Sequence, residues 1–201
     1  VLHTLAALTS VRQIDTCVVV APPRDTTLAP SVGAFGDGRV RVVPQGGATR
    51  AHSVLAGLQA LAEGGAAATD WVLVHDAARC LVTPVQVTAL IDACENDDVG
   101  GLLALPLPDT LKRASDGRVA ATEARDDKWL AQTPQMFRLG ALTAALQRAA
   151  QNDFAGITDE ASAMEALGHR PLLVRGSAQN LKVTYAEDFA LARAVLESRQ
   201  P

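Results

Sequence analysis

Cysteine is scarce in this chain, and the few cysteines form no recognisable set. Cys17, Cys80 and Cys94 are odd in number and show no C-x-x-C spacing, and the four histidines lack the spacing of metal ligands. This pattern argues against a disulfide framework and against a zinc site. We expect free thiols in a reducing cytosol and no metal held by protein side chains alone. Cys80 is interpreted as a space-filling residue rather than a nucleophile.

Long runs of one chemical character are also missing. The formal net charge is −4 and basic residues form no long cluster, so we expect no nucleic acid as a partner. The apolar runs are far shorter than the roughly 20 residues that cross a bilayer, so we expect no membrane partner. No G-x-G-x-x-G follows a predicted strand, which disfavours a dinucleotide oxidoreductase. These absences leave a cytoplasmic globular protein of another class.

The sequence does contain a regular alternation of short apolar runs and helical patterns. With 201 residues, 48% of them hydrophobic, the chain can bury a good core in one domain. The alternation predicts an α/β fold, a single Rossmann-like domain over residues 1–201 with a mostly parallel sheet flanked by helices. The predicted strands are 16–21, 40–43, 71–74, 101–105 and 172–174, with a short extended segment at 180–184, and the predicted helices are 1–8, 51–63, 85–94, 139–149, 159–167 (with Thr158 as its N-cap) and 187–196.

Residues 71–79 (WVLVHDAAR) are the stretch around which the chain is organised. A buried strand ends abruptly at a polar segment, and ligands of open α/β sheets bind beyond the carboxyl ends of the strands. Asp76 at this point can bind a metal or a ribose hydroxyl, and Arg79 can hold phosphate as a rigid fork. An ordinary polar turn is the alternative. For His75, a structural hydrogen bond is the preferred interpretation.

A second loop is rich in small residues. Residues 45–50 (QGGATR) open a predicted helix, and Ser53 lies one turn inside it. Glycines let the backbone approach a ligand closely, and a helix N-terminus favours anions. For a Gly-Gly pair alone, a plain turn is the preferred interpretation.

The alternation breaks between residues 109 and 131. This segment is polar, longer than an ordinary connection, and has a turn signal at Asp116-Gly117. Residues 109–112 and 118–121 can pair as a hairpin. Such an arm covers a site or reaches a partner subunit; the alternative is a solvated insert.

Cations and hydroxyls that follow other elements are further candidates. They are separated in sequence, but the elements before them are expected to end at one edge of the sheet. Cations that converge there neutralise phosphate, and hydroxyls can donate to the same ligand. Taken individually, each cation is better explained as a surface charge, and each threonine can equally be a cap or turn residue. The cations are Lys112, Arg125 and Lys182, and the hydroxyls belong to Thr110, Thr133 and Thr158.

Six short motifs, taken together, point to one family. In chain order they cover nearly the whole sequence, and with them the chain resembles the 2-C-methyl-D-erythritol 4-phosphate cytidylyltransferases of non-mevalonate isoprenoid synthesis. The motifs are 46–57 (GGATRAHSVLAG), 72–79 (VLVHDAAR), 108–112 (PDTLK), 132–137 (QTPQMF), 158–162 (TDEAS) and 180–184 (NLKVT).

The resemblance implies an activity and a set of site residues. The family transfers a cytidylyl group from CTP to methylerythritol phosphate and releases pyrophosphate, with Mg²⁺ held mainly through the CTP phosphates. It also implies a homodimer joined through the 109–131 arm, with Arg125 serving the neighbouring subunit. By analogy, Gly47, Ser53, Asp76 and Ala77 hold cytidine and ribose, Asp76, Arg79, Thr110, Thr133 and Thr158 lie near the sugar phosphate, and Arg125 and Lys182 position the attacking phosphate.

The chain also departs from the family pattern. Ala48 stands where the family usually has an acidic residue, and Cys80 stands where it usually has proline. The family opens with a strand and a Gly-rich loop that do not occur in this sequence, and we expect that this segment belongs before Val1. Two other interpretations stay open: a cytidylyltransferase for another alditol phosphate such as ribitol 5-phosphate, and a non-catalytic nucleotide-binding module.

Overall fold

Helices and strands alternate along most of the chain in this computed structural model, which describes residues 1–199. Within these residues, no helix is both long and apolar enough to cross a bilayer. The elements are α1 (Leu2–Thr9), β1 (Cys17–Val20), α2 (Leu28–Phe35), β2 (Val40–Val43), α3 (Arg50–Glu63), β3 (Trp71–Val74), α4 (Pro84–Cys94), β4 (Gly100–Pro106), β5 (Leu111–Ser115), β6 (Arg118–Glu123), β7 (Trp129–Arg138), α5 (Leu139–Ala150), α6 (Glu160–Glu165), β8 (Leu172–Arg175) and α7 (Asp188–Ser198).

Six of the strands form two sheets that carry the α/β domain. β1 and β2 pair in parallel, and the larger sheet has the order β3-β7-β4-β8. β7 runs antiparallel to both of its neighbours, whereas β4 and β8 are parallel. β3 and β4 therefore run in the same direction on either side of β7. The antiparallel strand β7 is the exception to the expected parallel arrangement.

The central strand β7 is absent from the prediction. Its sequence includes Gln132, Thr133 and Pro134, and polar residues and proline are atypical of a central strand. The register explains how they fit. Between the pairs Leu102–Gln135 and Ala104–Ala131, one residue of β4 faces three residues of β7, which is an irregularity of the β-bulge kind. The bulge releases polar groups of β7 from the ladder at this point.

The core lies on both faces of the larger sheet. Leu102 and Phe137 face α3, α5 and α6, where they pack with residues such as Leu58 and Leu142. Their neighbours Leu103 and Met136 face the opposite side, where α4 packs. Adjacent residues of a strand point to opposite faces, so one sheet supplies both layers of the core.

Three local predictions need correction. Asp159, not Thr158, is the N-cap of α6, because its carboxylate accepts the backbone N–H of Ser162 at 2.9 Å and the Ser162 side chain completes a capping box. Residues 180–184 form no regular strand. The helix α2 (Leu28–Phe35) was not predicted; its sequence holds Pro30 and Gly33, which weaken the helical signal.

The polar arm forms the expected hairpin. β5 and β6 pair in antiparallel fashion, and the turn between them is Asp116-Gly117. Both turn residues have positive φ, 51° and 74°, as a tight hairpin turn requires. The side chains of both strands are mostly exposed.

We predict that Gly101 cannot be replaced by alanine without loss of stability. A Cβ at Gly101 would lie 2.6 Å from the carbonyl oxygen of Leu172, so the β4–β8 pair would have to separate. Gly101→Ala should lower the free energy of unfolding by about 1–3 kcal/mol, the usual effect of overpacking. The control is Gly33→Ala in α2, where the new methyl meets no atom within 4 Å and helix propensity favours alanine by about 0.5–1 kcal/mol. Urea unfolding of both variants measures the difference; equal midpoints would contradict this account of the sheet.

Candidate active site

Asp76 lies just beyond the carboxyl end of β3 and gathers three cations. Its carboxylate accepts from Arg50 Nε at 2.7 Å and contacts Lys182 Nζ at 3.1 Å, with Arg79 Nε at 4.0 Å. Only 13% of the Asp76 side chain is exposed. Burial raises the pKa of this carboxyl, but Arg50 and Lys182 have the larger combined effect, and the pKa falls below its ordinary value. Asp76 is therefore an anion at neutral pH.

Arg50 connects Asp76 to a second, more deeply buried carboxylate. Its two terminal nitrogens donate to the two oxygens of Glu160 at 2.7 and 2.9 Å, while its Nε donates to Asp76. Only 1% of the Glu160 side chain is exposed. Burial raises the pKa of Glu160, and the hydrogen bonds and charge of Arg50 oppose this rise; the same ion pair raises the pKa of Arg50. The guanidinium thus joins the start of α3, the end of β3 and the start of α6.

The Gly-rich loop before α3 is tightly folded. Gly47 N donates to Ser53 Oγ at 3.0 Å, and the hydroxyl of Ser53 donates to Thr49 O at 3.1 Å. Any Cβ on Gly46 would lie 2.8 Å from the carbonyl oxygen of Ala21, and one on Gly47 would lie 2.3 Å from a side-chain carbon of His52. A side chain at either position would clash with these atoms, so close packing explains why both residues are glycine.

Thr133 and His75 fix the backbone of Asp76. The amide of Asp76 donates to Thr133 Oγ1 at 3.0 Å, and Thr133 Oγ1 lies 3.0 Å from His75 Nδ1. His75 Nε2 lies 3.1 Å from the carbonyl oxygen of Arg79, so Nε2 carries the proton and the Thr133 hydroxyl donates to Nδ1. Burial lowers the pKa of His75 to about 4, so the ring is neutral at pH 7. His75 makes the structural hydrogen bonds expected from the sequence.

Backbone carbonyl groups of the same chain use part of the hydrogen-bonding capacity of Arg79. Its terminal nitrogens donate to the carbonyl oxygens of Asn180 at 2.7 Å and Ala131 at 3.4 Å. Its Nε is buried and has no hydrogen-bond partner in the described part of the chain. Burial lowers the pKa of Arg79. The neighbouring residue Ala77 accepts a hydrogen bond from Thr4 Oγ1 at 3.3 Å through its carbonyl oxygen, which ties the loop after β3 to α1.

The four remaining candidates form no hydrogen bond or ion pair with Asp76 within residues 1–199. Lys112 Nζ donates to Thr122 Oγ1 at 2.7 Å within the hairpin, and Arg125 donates to the carbonyl oxygen of Pro108 at the base of the hairpin. Thr110 is exposed beside β5, and Thr158 is exposed before α6. Within residues 1–199, no ion pair joins Arg125 to Asp76.

Two residues of this constellation escaped the sequence analysis. Arg50 appeared only within the loop 45–50 and the motif 46–57, and Glu160 only within the predicted helix 159–167 and the motif 158–162, and neither was given a role. A basic residue directly after Gly-Gly is a weak signal, and nothing in the sequence links two positions 110 residues apart. With them, the cluster holds three cations and two carboxylates, and the excess positive charge favours anionic ligands.

A family model described as IspD: 2-C-methyl-D-erythritol 4-phosphate cytidylyltransferase matches residues 1–198. A curated relative from Albidiferax ferrireducens, the bifunctional enzyme IspD/IspF, is 62% identical over 199 residues, which is 99% of this chain and 46% of that protein. The chain thus spans less than half the length of that relative. A 2-C-methyl-D-erythritol 4-phosphate cytidylyltransferase of Chromobacterium violaceum is 54% identical over 198 residues, covering 98% of this chain and 84% of that protein.

Solved structures are similar over the same extent. One, described as 4-diphosphocytidyl-2C-methyl-D-erythritol synthase, has a TM-score of 0.88 and 45% identity, and covers 97% of this chain and 89% of the other. The 2-C-methyl-D-erythritol 4-phosphate cytidylyltransferase of Thermus thermophilus has a TM-score of 0.80 and 30% identity, with coverage of 97% and 87%.

We predict that Arg50→Met destabilises the protein more at pH 8 than at pH 5. Without Arg50, Glu160 is a buried carboxylate without a counter-charge, which costs about 3–5 kcal/mol at neutral pH. Burial already holds the folded-state pKa of Glu160 above its ordinary value, and without Arg50 it rises further, so stability is retained at low pH and lost as pH rises through the folded pKa. Chemical unfolding at both pH values measures this. The double variant Arg50→Met/Glu160→Gln should regain stability at pH 8; an equal deficit at both pH values would contradict the role given to Glu160.

Proposed function

The chain belongs to the 2-C-methyl-D-erythritol 4-phosphate cytidylyltransferase family, and on that basis we propose that it transfers the cytidylyl group of CTP to 2-C-methyl-D-erythritol 4-phosphate. An oxygen of the acceptor phosphate forms a bond to the α-phosphorus of CTP while the bond from that phosphorus to the leaving pyrophosphate breaks. The product belongs to the synthesis of isoprenoid precursors. The observation that carries the proposal is the match of the family model over residues 1–198, and the contact of Lys182 with Asp76 at 3.1 Å, inside a cluster with an excess of cations, agrees with it.

The reaction requires fixed cations, and this contact fixes one of them. Two highly charged anions must approach each other, and fixed cations offset their repulsion in the transition state. Lys182 is half-exposed and approaches Asp76 from the open side of the cluster. A lysine held by a buried carboxylate is pre-positioned, so little reorganisation is needed when phosphate arrives. We assign Lys182 the role of stabilising the phosphates in the transition state.

The nucleotide lies beside the Gly-rich loop in this proposal. Gly47 and Ser53 would hold the cytosine, because the loop offers closely packed backbone and a hydroxyl at the start of α3. Asp76 and Ala77 would hold the ribose. The absence of an acidic side chain at Ala48 leaves Gly47, Ser53 and their neighbours to bind the base.

The acceptor phosphate lies on the other side of Asp76. Arg79 would contribute its guanidinium, whose buried Nε has no hydrogen-bond partner among residues 1–199. Thr133 already fixes Asp76 and lies next to this position. Thr110 and Thr158 would donate hydroxyls from the rim, and both are exposed and free to do so.

Mg²⁺ fits this site as a partner of the substrate. Within residues 1–199, no group of three or more acidic, histidine or cysteine residues is placed to hold a metal. Mg²⁺ in such enzymes takes one or two carboxylates and the phosphates of the nucleotide, and Asp76 offers one carboxylate. A bound Mg²⁺ would neutralise phosphate charge.

We also propose that the chain works as a homodimer in the cytoplasm. An isolated two-stranded hairpin is marginally stable, so β5–β6 needs a partner surface. Val119 on the hairpin is 66% exposed and Leu130 at its base is 48% exposed, which suits burial against a second copy. Arg125 on the same arm would then reach the neighbouring site. The three free thiols suit a reducing compartment.

We predict that pyrophosphate release requires CTP, methylerythritol phosphate and Mg²⁺ together, and that Lys182→Ala lowers kcat about a hundredfold. One cation that acts in the transition state typically contributes a few kcal/mol. The thermal midpoint should change little, because Lys182 is half-exposed. Pyrophosphate release and thermal unfolding are measured on the same preparations, with ribitol 5-phosphate as the alternative acceptor.

The matched control is Arg193→Ala, which removes a cation that is 80% exposed on α7 and pairs with Glu197. Its turnover should equal that of wild type. Faster turnover of ribitol 5-phosphate would reassign the acceptor, and CTP binding without pyrophosphate release would identify a binding module instead.

We predict that inactive Arg125→Ala and Lys182→Ala subunits restore activity when they are mixed. If Arg125 serves the neighbouring site and Lys182 its own, each mixed dimer has one site with both residues intact. With random pairing half the dimers are mixed, so activity should return to roughly a quarter of wild type. Native mass spectrometry monitors subunit exchange. Complete exchange without recovered activity would show that both residues serve their own subunit.

A further inference from the structure

The segment that carries Lys182 is held in place without regular secondary structure. The β4–β8 ladder ends where the amide of Gly176 donates to the carbonyl oxygen of Ala104 at 2.8 Å. After this bond the chain leaves the sheet, and residues 176–187 form neither helix nor strand. Lys182 nevertheless lies 3.1 Å from Asp76, so other contacts must fix its position.

The first of these contacts is the side-chain amide of Gln132. Its Nε2 donates to the carbonyl oxygen of Ser177 at 2.9 Å, and its Oε1 accepts the amide of Ser177 at 3.3 Å. One side chain therefore satisfies both backbone groups of Ser177, as a neighbouring strand would do. A Cβ on Gly176 would lie 2.2 Å from Gln132 Oε1, so glycine is needed for this approach.

The second contact is the side-chain amide of Asn180, which is fully buried. Its Nδ2 donates to the carbonyl oxygen of Thr133 at 2.9 Å and to Gln132 Oε1 at 3.4 Å. Its backbone carbonyl oxygen accepts from Arg79 at 2.7 Å. Three residues later, the amide of Val183 donates to Ala78 O at 2.9 Å. The segment is thus fixed on both sides of Lys182.

Two adjacent residues of the β7 bulge, Gln132 and Thr133, anchor this segment. The carbonyl oxygen of Thr133 holds Asn180, and the hydroxyl of Thr133 accepts the backbone amide of Asp76. Gln132, the residue before it, holds Ser177. The positions of Asp76 and Lys182 are therefore set from one point of one strand.

We propose that Gln132 and Asn180 are positioning residues for Lys182, and that their paired amides hold the segment after β8 so that Lys182 meets the phosphates beside Asp76. This inference rests on the function proposed above. The pair also satisfies backbone groups of Ser177 and Thr133, but Asn180 Oδ1 is buried without a hydrogen-bond partner among residues 1–199, and this cost reduces what the pair contributes to stability.

The test is a double-mutant cycle on turnover by the full chain. Asn180→Ala should lower kcat at least about tenfold and change KM for CTP less than about threefold, because Lys182 acts in the transition state. In the Lys182→Ala background, the same change should lower kcat less than about twofold. Losses that multiply would overturn the proposal, since they would show that Asn180 does not act through Lys182.

Two further variants serve as an alternative test and as a control. Gln132→Met keeps the length of the side chain and removes the amide, so it tests the same coupling if Asn180→Ala does not fold. Asn96→Ala is the matched control, because Asn96 is exposed before β4 and far in sequence from the site. Its kcat should equal that of wild type.

Hydrogen exchange separates this proposal from the proposed function, because it needs no substrate. Asn180→Ala should accelerate exchange of the Val183 amide at least about tenfold, with peptides of α5 unchanged. Accelerated exchange in a protein whose wild type releases no pyrophosphate would overturn the proposed function while supporting the placement of Lys182. Unchanged exchange at Val183 would overturn the proposal whatever the turnover.

Discussion

The carboxylate of Asp76 is the interaction on which the site depends. Three segments far apart in the sequence meet at it: the start of α3 through Arg50, the segment after β8 through Lys182, and its own loop through Arg79. Each of the three cations lies within 4.0 Å of the Asp76 carboxylate, so they are also close to one another. Without an anion between them, their mutual repulsion would oppose this arrangement. Asp76 therefore makes a concentrated positive surface possible at neutral pH.

Glu160 makes that arrangement durable. A single carboxylate shared by three cations would leave Arg50 free to turn toward an incoming phosphate. The two hydrogen bonds from Glu160, at 2.7 and 2.9 Å, keep the guanidinium in one orientation. Because Glu160 is buried, solvent screens this pair less than it would an exposed ion pair. The site consequently has a rigid cationic side at Arg50 and a more accessible one at Lys182.

The sequence predicts the apolar skeleton well and the polar connections poorly. The runs that became β1 to β4 and the helical patterns of α3, α4 and α5 were recognised because burial imposes a periodicity. The strand β7 was missed because its bulge places glutamine, threonine and proline where apolar residues are expected. Likewise Asp76 and Lys182 could be named as candidates from motifs. The pairing of Arg50 with Glu160 was not predictable, since a contact between distant helix ends has no local signature. Thr158 was predicted as the N-cap in place of Asp159 because both residue types are favoured at that position. The sequence alone does not show at which of the two the helix begins.

The insertion of β7 between β3 and β4 also sets an order of events during synthesis. The segments of β3 and β4 leave the ribosome before β7, so their facing edges have no native partner until residues 129–138 have been made. The hairpin β5–β6, in contrast, joins neighbouring segments and can form at once, since short loops close fastest. Until β7 enters, the unpaired edges of β3 and β4 can pair with other chains. The facing edges of β3 and β4 are thus open to such pairing from the completion of β4 until β7 arrives, although the finished sheet gives no sign of that interval.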